Sequence, residues 1–305
     1  MDLALSSDQI AILDAIDSLA RPYASPPIHD TGFALVSEAL NRELAEGGFL
    51  DVGFEPELGA VTAALIVERL ARLPYAVEAA SSALVRPLLG QGVSGPVCLV
   101  EAKQGRRPVR FLASGATVVV VEQGRVASFA ASAEQARPVD TLFGYPMGVL
   151  AVDAGAAAKT THDVSPDAVK TRWRIGLAAE AAGLLAAALE SAVTYVTDRQ
   201  QFGRPIAAFQ AVRHRLAEAQ VRASGVYWLA LKAAGTLDAG DAALAAFHAQ
   251  ESARSVAYDL HQFLGAMGMT LEHPLHLWTY RLKALIGELG GRGVQGVDAS
   301  DAIWG

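Results

Sequence analysis

Several things are scarce in this sequence, and each shortage excludes something. One cysteine, Cys98, stands in 305 residues, so neither an internal disulfide nor a cysteine-based zinc cluster is available. Charged residues make up 19% and aromatics 7%. The formal net charge is −7 and the pI about 5.5, which argues against a nucleic-acid surface built on clustered Lys and Arg. No segment approaches the roughly 20 uninterrupted apolar residues that span a bilayer, so membrane insertion is not expected. The opening stretch MDLALSSDQIAILDAIDSLA has neither a basic leader nor a continuous apolar run before a small-residue cleavage site. It reads as an amphipathic helix, and the expected location is the cytoplasm.

Apolar residues, by contrast, are plentiful at 52%, and the mean hydropathy is +0.27. Alanine and leucine carry most of this. Such a chain implies helices buried on several faces, some of them against other subunits. An oligomer is expected. Cys98 lies in the apolar run PVCLVEA and reads as a buried strand residue, not as a reactive thiol.

Periodicity divides the chain into three parts. Residues 1–95 read as a helical domain: SSDQIAILDAIDSLARPYA places Ile10, Ile12, Leu13, Ile16 and Leu19 on a helical stripe behind a Ser/Asp cap signal. Gly47, Gly48 and Pro74 provide stops. Residues 96–165 carry short runs rich in Val and Phe, such as PVCLVEA, RPVRFLASG and ATVVVVEQG. These predict a small antiparallel sheet or barrel. Residues 166–291 return to long helical patterns, four in all, and short loops between long helices predict an antiparallel bundle. Ser165 is read as the cap of the first of these and Pro166 as its first residue, with Pro205 early in the second. Residues 292–305 are Gly-rich and expected to be a loose tail. The fold class is mainly α with a small β-domain.

One stretch, DRQQFGRPIAAFQ from Asp198 to Gln210, breaks the apolar pattern between two long helices. Its extension RQQFGRPIAAFQAVRHRLAEA resembles a signature of the acyl-CoA dehydrogenase family, where an Arg, a Phe-Gly and a following Phe-Gln recur at this spacing. QFLGAMGMTLEHPLHL resembles the second signature of that family. The family architecture is an N-terminal helical domain, a middle β-domain and a C-terminal four-helix bundle, the order found here. The resemblance implies FAD lying between subunits, its pyrophosphate and adenosine held by a neighbour's bundle. On that reading Arg199, Gln201, Phe202, Gly203 and Gln210 contact the cofactor from one side and Gln262, Gly265 and Gly268 from the other. Gly203 and Pro205 would end one helix and start the next, leaving free N–H groups at a positive helix end. Arg199 would add a planar fork suited to phosphate. Without the resemblance, Arg199 reads as a solvated or acid-paired loop arginine, Phe202 and Phe209 as core anchors, and Gly265 and Gly268 as a helix C-cap and turn.

The chain departs from the family in two places. It is short, the missing length falling in the middle β-domain, and the segments that pack beside the flavin ring have no counterpart. The base that takes the substrate's α-proton must be a desolvated carboxylate. Family members draw it from one of two positions. One is the loop after the last signature helix, where LIGELGGRG places Glu288 one residue out of register. The other is an early turn of the first bundle helix, where Trp173 stands, with Glu180 two turns on. Glu272, within TLEHP, is a weaker candidate that could cap the last helix. His273 and His276 have a metal-compatible spacing but no evident third ligand, and packing is the favoured reading.

The resemblance therefore implies a flavoprotein oxidoreductase of lipid metabolism acting on CH–CH bonds of an acyl-CoA. The short β-domain and TLEHPLHL resemble the β-type subunit of heterotetrameric (α₂β₂) enzymes of bacterial steroid catabolism, which complete the FAD site of a larger, base-carrying partner. Electrons would leave through an electron-transfer flavoprotein. A self-sufficient homo-oligomer with Glu288 as base, and a scaffold without flavin, are the alternatives.

Overall fold

The computed structural model describes residues 4–27, 32–102 and 107–305. Helix α1 (Ser7–Ala20) opens with a capping box: Ser6 accepts from the Gln9 N–H while the Gln9 side chain accepts from the Ser6 N–H. Helix α2 (Glu38–Glu46) stops at Gly47 and Gly48, the latter at φ 65°. Helix α3 (Gly59–Ala71) is buried along nearly its whole length. The pattern YAVEAASSALVRPLLG makes two short helices, α4 (Ala80–Leu84) and α5 (Arg86–Leu89), with Pro87 in the first turn of the second. Proline cannot donate a backbone hydrogen bond, so it starts a new helix and does not continue the old one.

The middle segment forms two small sheets, not one. Strands β1 (Val97–Glu101), β3 (Thr117–Glu122), β4 (Arg125–Ala130) and β7 (Thr160–His162) make a four-stranded sheet in the order β1-β3-β4-β7. Strands β2 (Val109–Arg110), β5 (Ala136–Pro138) and β6 (Met147–Leu150) make the second, in the order β2-β6-β5, and a short helix α6 (Ala154–Ala157) precedes β7. The expectation of a purely antiparallel arrangement fails at one pair: β1 and β3 are parallel. The chain leaves β1, contributes β2 to the other sheet and re-enters as β3 in the same direction. Both faces of this sheet are covered. Val97, Leu99, Val119 and Val121 join the core shared with the helices, while Cys98, Val100, Val118 and Val120 join the core that includes Val109 and Leu112. That is why ATVVVV shows no polar alternation.

Four long helices follow. Helix α7 (Pro166–Asp198) has Ser165 as its N-cap and Pro166 at its first position, as read from the sequence. By length and composition it is apolar enough to cross a bilayer, yet 83% of its most apolar window is buried inside the fold. It lies in the middle of the bundle with α8 (Gln210–Thr236), α9 (Ala239–Leu264) and α10 (His276–Ile286). Gly183 of α7 allows the crossing with α3, since a Cβ there would overlap the Glu68 carbonyl oxygen. The C-terminal residues are not a loose tail. Gly291–Trp304 form helix α11, which lies along α9, with Gly296 against the Phe247 ring and Arg174 bonded to Gln295 and Asp298. Glycine lowers intrinsic helicity, but here it permits the close approach whose packing more than offsets that cost.

Candidate functional site

The break between α7 and α8 is a hairpin and not a bare helix junction. Gln200–Gln201 (β8) pair with Arg204–Pro205 (β9), and Phe202 and Gly203 form the two-residue turn at φ 53° and 79°. Two central residues at positive φ define the mirror-image turn that fits the twist of paired strands. A bulky Phe in that conformation is strained, and its side chain is 90% exposed. Gly203 and Pro205 therefore neither end α7 nor start α8, which runs from Gln210. The free helix-end N–H groups expected there are moved: the Arg199 N–H bonds to the Tyr195 carbonyl, and the Ile206 N–H to the Arg199 carbonyl. Phe209, half-buried, is the anchor. It meets Phe202 edge-on at 6.0 Å, and the Arg204 guanidinium sits 4.1 Å above its ring centroid. Phe202 is no core residue. Arg199 forms no ion pair among the described residues, and Gln201 and Gln210 are exposed.

The second signature reaches the same end of the bundle. Helix α8 doubles back on α7 and α9 returns, so the α7–α8 and α9–α10 connections are neighbours; the Tyr195 ring meets His273 edge-on at 5.3 Å. Gly265 caps α9 at φ 57°, and open space surrounds its Cβ position. Gly268 backs tightly onto the His261 carbonyl. His261 pins this turn: Nδ1 lies 2.6 Å from the Gly268 carbonyl and Nε2 lies 2.9 Å from Thr279 Oγ1. Gln262 points to solvent. His273 precedes α10 while His276 begins it, so the two do not share a helical face. Among the described residues no group of three or more His, Cys, Asp or Glu could hold a metal. Glu272 is exposed and caps nothing, because the cap position of α10 is Leu275.

The third element is a cavity of about 1230 Å³ between the β-segment and the far end of the bundle. Both positions suggested for a base line it. Trp173 and Glu180, seven residues apart on α7, share one face, and Glu288 approaches from the loop after α10. That loop is strained, with Leu289, Gly290 and Gly291 all at positive φ. Behind it, Gln250 donates to the Leu285 and Glu288 carbonyls, each at 2.9 Å, and Gln295 donates to the Leu289 carbonyl at 2.5 Å.

Arg110, from β2, joins these groups, and sequence reading did not single it out. Its Nη1 donates to Glu180 Oε2 at 2.8 Å, and its Nε and Nη2 donate to the two oxygens of Glu288 at 2.5 and 3.2 Å. The Tyr145 hydroxyl donates to Glu180 Oε1 at 2.7 Å, and Trp173 Nε1 donates to Glu288 Oε2 at 3.2 Å. The Arg110 guanidinium lies 4.7 Å from the Tyr145 ring centroid. Burial opposes the charge of Arg110, but Glu180 and Glu288 more than offset it and hold its pKa well above the ordinary value. Burial, then Glu180, pushes the Tyr145 hydroxyl well up, and burial pushes the Cys98 thiol up. The one available signal for Arg110 was a charge inside the apolar strand PVRFLA.

These two regions lie at opposite ends of α7. Trp173 and Arg199 are separated along it by roughly 39 Å, at about 1.5 Å of rise per residue. The exposed turns at one end offer a guanidinium without an ion pair among the described residues, exposed side-chain amides and open space at Gly203 and Gly265. They suit an anionic, extended group brought from outside the chain.

Known proteins agree with this architecture. The family profile of the acyl-CoA dehydrogenase C-terminal domain matches residues 171–295. Acyl-CoA dehydrogenase FadE34 of Mycobacterium tuberculosis is 37% identical over 160 residues, which is 50% of this chain but only 22% of FadE34. Acyl-CoA dehydrogenase IpdE2 of Mycolicibacterium smegmatis is 27% identical across 91% of this chain and 93% of its own length. Among solved structures, the ChsE4-ChsE5 complex of Mycobacterium tuberculosis superposes with a TM-score of 0.75 at 20% identity, covering 99% of both chains. Two signatures at one end of a four-helix bundle, a small β-segment in the expected place and a matching family profile lead to one assignment: residues 171–295 are an acyl-CoA dehydrogenase C-terminal domain, and the chain as a whole has the acyl-CoA dehydrogenase fold.

Proposed function

We propose that this chain is the shortened subunit of an FAD-dependent acyl-CoA dehydrogenase, working with a larger chain in an α₂β₂ assembly in the cytoplasm. It acts in α,β-dehydrogenation of an acyl-CoA thioester, with a bulky or steroid-derived acid as the substrate class. FAD, when bound, supplies the acceptor for a hydride from the substrate's β-carbon. This chain's own contribution is to hold the distal half of the cofactor. Arg199 would take a pyrophosphate oxygen, Gln201, Gln210 and Gln262 would donate amide hydrogen bonds, and Gly203 and Gly265 would allow close backbone approach, while Gly268, buried against the His261 carbonyl, would hold the second turn in shape. Phe202 would lose its exposure against the partner subunit.

The observation that carries the reading is the separation along α7. The cofactor-contact candidates and the cavity holding Glu288 stand at opposite ends of a 33-residue helix. One flavin held by Arg199 therefore presents its reacting ring to another chain. Electrons would pass on to an electron-transfer flavoprotein.

The test is a visible spectrum. The chain purified alone should be colourless, and the complex co-purified with a full-length homologous subunit should show the flavin band. A yellow chain on its own, or a stable complex with no flavin, would overturn the proposal. One observation favours a second reading: Glu288 does reach the cavity. A self-sufficient homo-oligomer using Glu288 would be yellow alone and inactive as Glu288→Gln.

A further inference from the structure

In this chain Glu288, at one of the two places from which the family takes a base, and Glu180, two turns along α7 from the other, converge on one guanidinium. Arg110 engages both oxygens of Glu288 and one of Glu180, while Tyr145 takes the other Glu180 oxygen and Trp173 adds a second bond to Glu288. No carboxylate oxygen of the pair is left without a donor. Arg110 is 13% exposed, Glu180 7% and Glu288 19%, so water replaces little of this. The contact is built in from three directions. Residue Phe111, held at φ 59° with its N–H on the Pro146 carbonyl, turns the chain directly after Arg110. Glu180 is set by the rigid core helix, and Glu288 by a loop pinned from behind by Gln250 and Gln295.

We propose that Arg110 is a positioning residue that latches Glu180 and Glu288 together and withholds both from proton transfer in this chain's cavity. The chain is silent in the chemistry because its carboxylates are occupied, not because it has none. This rests on the reading of the chain as a complementing subunit and supplies its physical basis. A guanidinium matches two carboxylates by shape as well as charge, donating in one plane to both. An ionised pair with every oxygen bonded has no site for an incoming proton unless the network opens. Removing only the arginine leaves two carboxylates facing one enclosed space, where like charges cannot both stay ionised, and one takes up a proton.

Carbodiimide-driven coupling of an amine, mapped by peptide mass spectrometry on the full chain, reads this directly, because the reagent activates a protonated, accessible carboxyl. In the unmodified protein Glu288 should couple at least tenfold more slowly than the exposed Glu272. Arg110→Gln should bring Glu288 to within about threefold of Glu272, with the circular dichroism unchanged and with Glu78, a half-buried carboxyl on the cavity wall that accepts from the Ser81, Ser82 and Val97 N–H groups, still protected. Arg110→Lys, which keeps the charge but loses the fork, should restore most of the protection. Glu288 coupling as fast as Glu272 in the unmodified protein overturns the proposal without any variant. So does a folded Arg110→Gln whose Glu288 stays as slow as before. The labelling needs neither flavin nor a partner, so its failure is distinct from failure of the subunit reading, which the spectrum of the co-purified complex decides.

Discussion

Trp173 donates its indole N–H to Glu288 across 3.2 Å, although 115 residues separate them in the chain. The two positions from which family members draw a base are therefore in contact here. One carries a tryptophan, which can orient a carboxylate but cannot accept the proton, and the other carries a glutamate already bound on both oxygens.

Glu288→Gln should therefore leave turnover of the assembled complex within about threefold, a barrier change under about 1 kcal/mol. Steady-state rates with flavin content measured alongside check this. Abolished turnover at full flavin loading would favour the self-sufficient reading.

Arg199→Ala should strip flavin from the complex while leaving the fold alone, since the side chain makes no ion pair among the described residues. A charge-assisted bond contributes about 1.5–3 kcal/mol, so retention should weaken roughly 10- to 100-fold. Arg199→Lys should recover only part of it, for lack of bidentate geometry. Flavin bound per complex after dialysis is the measurement. No change would remove the hairpin from the cofactor site.

Leu237 occupies the left-handed position that ends α8, at φ 53°, with its N–H on the Ala233 carbonyl. A side chain pays about 1–2 kcal/mol to sit there and glycine does not. Leu237→Gly should raise the thermal midpoint, a gain of about 1 kcal/mol after the loss of a partly exposed apolar side chain. A lower midpoint would contradict the strain argument.

Gly183→Ala should do the reverse. Its Cβ would overlap the Glu68 carbonyl and crowd Ala71 where α7 crosses α3. Overpacking of this kind costs about 1–3 kcal/mol, and a denaturant titration should show it as a lower midpoint at unchanged slope.

Burial is the first cause lowering the folded-state pKa of His261, His273 and His276 below the ordinary histidine value. Their contribution to stability is complete above about pH 6.5, the unfolded value. It is lost as pH falls through their depressed folded values, because the unfolded chain takes up protons first. Glu78, whose carboxyl is pushed up by burial, works in the opposite sense and loses its share as pH rises. His276 Nε2 is buried without a hydrogen-bond partner among the described residues, so His276→Gln should flatten the acid-side loss. Urea midpoints of both proteins across this range decide it, and identical profiles would exclude the histidines as the cause.

Much was legible in the sequence because it is local physics. The Ser/Asp signal ahead of α1, and Ser165 with Pro166, announce helix starts, since the cap and the group it satisfies lie within one turn. The order of helices, small β-segment and bundle follows from side-chain period. So does the polar break at Asp198–Gln210, whose residue types also carry the family resemblance. Only the tertiary structure decided the rest. It made that break a strained hairpin, where residue types alone suggested a helix junction. It turned the Gly-rich terminus into a helix, because Gly296 can lie on Phe247. It also brought Arg110 to Glu180 and Glu288, partners 70 and 178 residues away. A charge buried by such distant partners leaves no periodic trace. Its energy comes from enclosure and pairing, and both exist only once the β-segment has closed on the bundle.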